Sequence, residues 1–235
     1  MKIEDCNWMQ VEEYLDRENR LVIPLGSIEQ HAYLSLGVDR ILSERVCVEA
    51  AEPLGVLVLP SLPYGLTPYF AAYPGSPTLR VETYRAVLVD LLDSLAGQGF
   101  RRFLFVNGHG GNDPGRPAVE GWAETQVDRA VQWHNWWAGE RVRAVVAEID
   151  PDASHASWFE NFPWTRLAGV TMPDEKKPMA DISKMRELDP REVRKLLGDG
   201  SLGGVYERSD DDVMRVWHTG VEEVRDLIDH CWAGA

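Results

Sequence analysis

Ile23-Pro-Leu-Gly-Ser-Ile-Glu29-Gln-His31-Ala-Tyr-Leu-Ser-Leu-Gly-Val-Asp39 is the stretch on which the reading of this chain turns. It grows out of an apolar run, Leu21 to Leu25, that reads as a buried strand. Past the strand end come a carboxylate, an imidazole and a second carboxylate: Glu29, His31 and Asp39. Hard oxygen and borderline nitrogen donors in one place suit Zn²⁺, Mn²⁺ or Fe²⁺. Glu29 and His31 are two residues apart, so an extended chain points both to one side. A surface loop with three polar residues is the competing reading, and this segment alone leaves both open.

Two further segments carry the same residue types. Phe103-Leu-Phe-Val is another strand pattern, and it runs straight into Asn107-Gly-His109-Gly-Gly-Asn112. Glycines there let the backbone turn sharply and approach a ligand, and His109 falls at a strand's carboxyl end, where open α/β sheets place their sites. An ordinary Asn-Gly and Gly-Gly turn with a solvated histidine is the plainer alternative. The third segment, Asp152-Ala-Ser-His155-Ala-Ser-Trp-Phe-Glu160, reads as a helix start capped by Asp152 or Ser154. On such a helix His155 and Glu160 lie about 140° apart, only roughly one face. A solvated helix start fits that segment equally.

Strand and helix signals alternate along the chain. Strands are predicted at Leu21–Leu25, Val56–Leu59, Phe103–Val106 and Val142–Ile149, and helices at Arg40–Ala51, Val81–Gln98 and Pro117–Val127. Val81–Gln98 is the clearest, with Tyr84, Val87, Leu88, Leu91, Leu92 and Leu95 on one stripe. Asp189-Pro-Arg-Glu begins another helix with proline at its first position, and Val213–Cys231 reads as a terminal amphipathic one. Strands separated by helices predict a single-domain α/β fold over 1–235, layered α/β/α with a mainly parallel central sheet.

Composition agrees with a soluble globular enzyme. The chain has 235 residues, 44% hydrophobic and 26% charged, with net charge −14. An acidic surface disfavours nucleic acid and anionic membranes as partners, and no apolar run approaches the ~20 residues of a membrane span. Met1-Lys-Ile-Glu-Asp-Cys lacks a signal peptide's apolar core. Cys6, Cys47 and Cys231 are far apart with no CxxC, so reduced thiols and a cytoplasmic location are expected.

In combination, Pro24-Leu-Gly-Ser-Ile-Glu-Gln-His31, Asp39, Asn107–Asn112 and the His155-Ala…Glu160 segment resemble the creatininase (creatinine amidohydrolase) family. The resemblance spans roughly Pro24 to Glu160 with the segments in family order, and its first two motifs are the specific ones. It implies a creatininase-like fold and a metal-dependent amidohydrolase acting on a non-peptide C–N bond of a small cyclic or linear amide. Peptidase or deformylase activity at the same site, or binding without catalysis, are the alternatives. By the resemblance, Glu29, Asp39 and His109 hold one divalent ion (Zn, Mn or Fe). His31, Asp39 and Glu160 hold a second, with Asp39 bridging. Such a pair shares a hydroxide and polarises a carbonyl. His155 is then the candidate catalytic residue, as proton shuttle or oxyanion donor. Family members assemble as compact oligomers, often hexamers, so a homo-oligomer is expected.

Departures fall on the loops expected to face substrate. His31-Ala-Tyr-Leu-Ser-Leu replaces the family's His-Gly-Pro-His-Leu-Pro, Ser157 replaces Gly, and Glu160-Asn-Phe replaces Glu-Thr-Ser. The Pro- and Gly-rich loop from Tyr64 to Thr78 keeps the family's frame with Tyr69 in place of His. A loop that long is functional or disordered, and its aromatics favour an ordered one. A subunit contact is its other reading. Among nine tryptophans, Trp136 and Trp158 are the candidates to close over substrate, beside a core or interface role for most. His134, His218 and His230 receive no chemistry.

Overall fold

Leu21, Ile23 and Leu25 alternate with Val22 along one strand, and all four are buried. A strand covered on both faces reads as a continuous apolar run. The computed structural model describes residues 1–125, 127–185 and 187–232. Its elements follow in chain order. Helix α1 (Trp8–Leu15) is opened by a reciprocal Asn7–Gln10 capping box. Strand β1 (Arg20–Leu25), helix α2 (Val38–Ala51) and the short strand β2 (Leu57–Val58) come next. Then come α3 (Val81–Gln98), β3 (Arg102–Asn107), α4 (Arg116–Glu124), β4 (Ala130–Asn135) and α5 (Glu140–Ile149). Short helices α6 (Ile182–Met185) and α7 (Pro190–Leu197) lead to α8 (Asp210–His230).

The sheet is parallel throughout, in the order β2-β1-β3-β4. Val22, Val58, Leu104 and Val106 pack toward α2, α5 and α8. Leu21, Ile23, Leu25, Leu57, Phe103 and Phe105 pack toward α1, α3 and α4. The period-2 alternation of side chains thus makes two cores, one per face, and gives the expected α/β/α layering. A satellite cluster of Phe70, Tyr73, Met185, Val193 and Leu197 ties the 64–78 loop to α7. Leu25, Asn107 and Asn135 lie level across the carboxyl edge of the sheet, where the loops carrying the ligand-type residues begin.

Three local expectations are corrected. Val142–Ile149 is helix α5, not a strand. Val142, Val145, Val146 and Ile149 recur at three- and four-residue spacing and pack on the core shared with α8. Their β-branched character resembles a strand, but the period is helical. The fourth strand is Ala130–Asn135, whose polar Gln132, His134 and Asn135 hid it; it is an edge strand, which needs less burial. Asp152 and Ser154 cap no helix. Residues 152–157 form an irregular loop and only Trp158–Glu160 makes a 3₁₀ turn. The Ser154 hydroxyl donates instead to the Gly203 carbonyl. Of the predicted Pro117–Val127 helix, α4 ends at Glu124, and Gln126 lies outside the described residues.

Candidate metal centre

Asn107 and Asn112 shape the loop that presents His109. Asn107 Nδ2 donates to the His109 carbonyl and its Oδ1 accepts from the His109 N–H. Asn112 Nδ2 donates to Asn107 Oδ1 and to the Gly26 carbonyl, joining the ends of β3 and β1. Gly111 is needed between them. A Cβ there would lie 2.1 Å from the Leu66 carbonyl oxygen and 2.3 Å from His109 Nε2. Asp39 stands in the first turn of α2 and points back to the same place, with Ser27 Oγ donating to its Oδ2 at 2.8 Å.

The structure brings Glu29, His31, Asp39, His109, His155 and Glu160 into one cluster at the sheet's carboxyl edge. Asp39 Oδ1 is 3.1 Å from His31 Nε2, and Asp39 Oδ2 is 2.9 Å from His109 Nδ1. Glu29 Oε1 is 3.3 Å from His109 Nδ1 and 3.6 Å from His155 Nδ1. Glu160 Oε2 is 3.6 Å from His31 Nε2 and accepts from the Ala156 N–H at 2.6 Å. Glu29, His31 and Asp39 are almost fully buried.

The residues fit divalent cations on three observations. Potential ligand atoms of Glu29, Asp39 and His109, and separately of His31, Asp39 and Glu160, lie within 4.8 Å of one another. The far nitrogen of each facing imidazole is held by a backbone carbonyl. His109 Nε2 sits 2.9 Å from the Leu66 oxygen and His31 Nδ1 3.1 Å from the Glu29 oxygen. That arrangement turns the other nitrogen inward as a lone-pair donor, as around most ligating histidines. Finally, buried Glu29 Oε2 has no hydrogen-bond partner, and His31 Nε2, though 3.1 Å from Asp39 Oδ1, makes no aligned hydrogen bond. Such orphans are rare unless something else completes them. A further triplet, Glu29, His31 and His155, is also close enough to share an ion.

Without cations the cluster is electrostatically tense. Burial opposes charge on His31, but Asp39 and then Glu160 outweigh it and push the imidazole up to about 10. Burial likewise opposes His109, which Glu29 and Asp39 raise well above its ordinary value. Burial pushes Glu160 up to about 7 and raises Glu29. Asp39, between two cationic rings, is held far below the carboxylate range despite its burial. His155 goes the other way: burial, then the charge on His31, keep it neutral.

The aromatic residues named from the sequence divide between core and surface. Trp136 is a core residue stacked near Phe159 and edge-on to Trp217, and Trp158 is fully buried against Phe159. Both rings belong to the core cluster shared with Val142, Val216 and Trp217. Tyr69 is exposed, and its neighbour Phe70 makes the contact instead, stacking on His155 at 4.8 Å and 14°. Phe70 was not singled out from the sequence, where nothing distinguishes it from the loop's other aromatics. Gln30 lies buried between two ligand-type residues, and the sequence reading assigns it no role. Its place inside Glu-Gln-His was the available signal.

The family model described as Creatinine amidohydrolase matches residues 4–228. A creatinine amidohydrolase of Pseudomonas putida is 35% identical over 95 residues, 38% of this chain and 36% of that protein. A 3-dehydro-scyllo-inosose hydrolase of Thermotoga maritima is 31% identical over 200 residues, 78% of this chain and 64% of that protein. The matched region thus spans less than two thirds of either relative's length. A mycofactocin precursor peptide peptidase of Mycolicibacterium smegmatis is 28% identical over 187 residues, 68% of this chain and 74% of that protein. The crystal structure of a manganese creatininase superposes with a TM-score of 0.80 at 22% identity, covering 99% of this chain and 98% of that one.

Proposed function

This chain belongs to the creatininase family, and from that premise we propose that it is a metal-dependent amidohydrolase cleaving a non-peptide C–N bond of a small cyclic or linear amide. One observation carries the proposal: Asp39 turns one carboxylate oxygen to His31 and the other to His109. A carboxylate so placed can serve two cations. In this reading Glu29, Asp39 and His109 hold one ion, and His31, Asp39 and Glu160 the other. Three carboxylates against two divalent ions leave a net charge near +1. Bound there, the ions supply Lewis acidity that polarises a carbonyl and acidifies water. The manganese found in a structurally similar creatininase supports a divalent metal.

The remaining work falls to this chain's own groups. His155 is the proton-handling residue, with Nδ1 turned to Glu29 and the cluster. Phe70 stacks on one face of its ring. Ser27 fixes Asp39, and the Ala156 N–H fixes Glu160. The substrate-facing loops, where the sequence departs from the family, set which amide is accepted. The similarity to a peptide peptidase supports a second reading, in which the bond cleaved lies in a short peptide. We read the chain as one domain that works as a homo-oligomer in the cytoplasm. The three described cysteines are free, and no helix among the described residues is long and apolar enough to cross a membrane.

The test is metal-reconstituted protein against a panel of lactams, formamides and short peptides, with metal content measured alongside. Turnover of a lactam or formamide, lost on chelation and restored by Zn²⁺ or Mn²⁺, is the expected result. Turnover confined to peptides would replace it with the peptidase reading. Protein that holds no metal and turns over nothing would leave a binding protein.

A further inference from the structure

We infer that Gln30 is a positioning residue that sets the tautomer of His155, keeping the imidazole proton on Nδ1 and aimed at the carboxylate cluster; the inference rests on the reading of His155 given above. Gln30 is 4% exposed, and its amide N–H and both ends of its carboxamide are held. Its backbone N–H donates to Ser76 Oγ at 2.9 Å. Its Oε1 accepts from the Ala32 N–H at 3.1 Å, and its Nε2 donates to the Gly200 carbonyl at 2.9 Å. Those two bonds fix which end of the carboxamide is which, since a flipped group would face a donor with a donor and an acceptor with an acceptor. One N–H remains, and His155 Nε2 lies 2.9 Å from that nitrogen.

Gly200 is shaped to this contact. Its φ is +100°, and a Cβ there would lie 1.7 Å from Gln30 Oε1. The adjoining Asp199 accepts from Tyr206 Oη at 2.6 Å and from the Ser201 N–H at 3.1 Å, and pairs with Lys177. The carbonyl that orients the carboxamide is therefore itself braced.

The Gln30 carbonyl oxygen also lies 3.0 Å from His155 Nε2 and would accept a proton from it. Only one of the two contacts can be favourable at a time, and the other ring nitrogen decides. Nδ1 faces Glu29 Oε1, an acceptor, at 3.6 Å. With the proton on Nδ1, Nε2 accepts from the Gln30 carboxamide at 2.9 Å and the Nδ1–H points toward the Glu29 carboxylate, 3.6 Å away, at the cost of leaving the Gln30 carbonyl unpaired. With it on Nε2, N–H confronts N–H across 2.9 Å and a bare lone pair faces a carboxylate. The Phe70 and His31 rings, 4.8 and 4.4 Å from it, limit its tilting. His155 so held presents Nδ1–H as a hydrogen-bond donor to developing negative charge, the role of an oxyanion-stabilising group.

The experiment uses zinc-loaded protein labelled with ¹⁵N-histidine, with His155 assigned by its loss in His155→Ala. Long-range ¹H–¹⁵N correlation separates the two neutral tautomers. The parent is expected to show Nδ1–H. Gln30→Met, which removes the donor, and Gln30→Glu, which keeps the shape but offers an acceptor, are expected to show Nε2–H. Both should retain zinc. Loss of an aligned donor should lower kcat by roughly 10²-fold with KM within about threefold. An Nε2–H parent, or one tautomer common to the parent and whichever variants fold, would overturn the inference. The spectra need no substrate. A parent that hydrolyses no amide would therefore count against the hydrolase reading while the tautomer is decided separately.

Discussion

Ala32 and Ala156 share one backbone conformation: φ is +50° at Ala32 and +58° at Ala156, and no other described non-glycine residue has positive φ. Each directly follows a histidine of the cluster, His31 or His155. The N–H of each is taken by a neighbouring side chain, Gln30 Oε1 for Ala32 and Glu160 Oε2 for Ala156. The left-handed conformation costs about 1–2 kcal/mol for a residue with a Cβ. The chain therefore stores strain at the two points where it reverses after aiming a histidine inward.

Substitution should expose that strain. Ala156→Gly removes the Cβ penalty while loosening the unfolded chain, so its stability should stay within about 1 kcal/mol of the parent. Ala156→Val places a β-branched residue at positive φ and should lose about 2 kcal/mol or more. Urea unfolding measures both. Equal stability of the Gly and Val variants would show that the conformation carries no strain.

Asp39→Ala should strip both metal ions, because its two carboxylate oxygens lie separately against His31 and His109. Glu29→Ala and Glu160→Ala should each remove one ion and leave the other. Elemental analysis after dialysis reads all three. Full metal content in Asp39→Ala would end the bridging assignment, and loss of both ions in Glu160→Ala would show that the two sites are not separable.

Metal uptake should release protons. In the metal-free cluster His31 is raised to about 10 by Asp39 and Glu160 against its burial, and His109 is raised by Glu29 and Asp39. Both rings therefore carry protons at pH 7–8, and a cation must displace them. Calorimetry in buffers of different ionisation enthalpy should show that release, with affinity rising as pH rises. The fold responds with the opposite sign. A raised histidine stabilises the metal-free protein fully below its unfolded value near 6.5 and loses that contribution as pH rises through about 10. Metal-free protein should thus become less stable from pH 7 to 10. Buffer-independent binding heats would show neutral rings and an ordinary pKa for His31.

The layered fold was legible because its signals are local. Val81–Gln98 carries an unbroken 3.6-residue stripe, and the structure ends the helix on the same residues. The parallel sheet followed from strands alternating with helices; of the three clustered segments, those carrying Glu29 and His109 follow strand ends, and the one carrying His155 and Glu160 follows helix α5. What failed was decided by tertiary context. Ala130–Asn135 is a strand because Arg102–Asn107 offers it a partner, not because its own residues demand it. Residues 152–157 stay irregular because Ser154 bonds to Gly203, far along the chain. Trp136 and Phe70 could not be told apart in sequence. One faces α8 and the other His155 only once the sheet sets the layers.

The chain is expected to assemble. Tyr64 and Tyr69 on the aromatic loop, and Leu167 and Val170 beyond the cluster, are exposed apolar side chains. Light scattering at micromolar concentration should return a multiple of the 26.5 kDa chain mass. A monomer at that concentration would remove the oligomer from the proposal.

His155 offers the sharpest test of mechanism. Removing the ring forfeits its stacking on Phe70, about 0.5–1.5 kcal/mol of fold stability. His155→Ala should keep both metals and bind substrate within a few-fold of the parent. It should lose roughly 10²–10⁴ in turnover, about 3–5 kcal/mol in the barrier, the range for a positioned acid–base or hydrogen-bonding group. Phe70→Leu is the control. It removes the stack, leaves the imidazole, and should cost stability with a smaller loss of rate. Burial and His31 hold the imidazole well below its ordinary value, so any rate limb owed to His155 belongs on the acid side of neutrality. Turnover of His155→Ala within a few-fold of the parent, at full metal occupancy, would take His155 out of the reaction. A lost ion in the same variant would make it a ligand with Glu29 and His31, the third grouping the cluster allows.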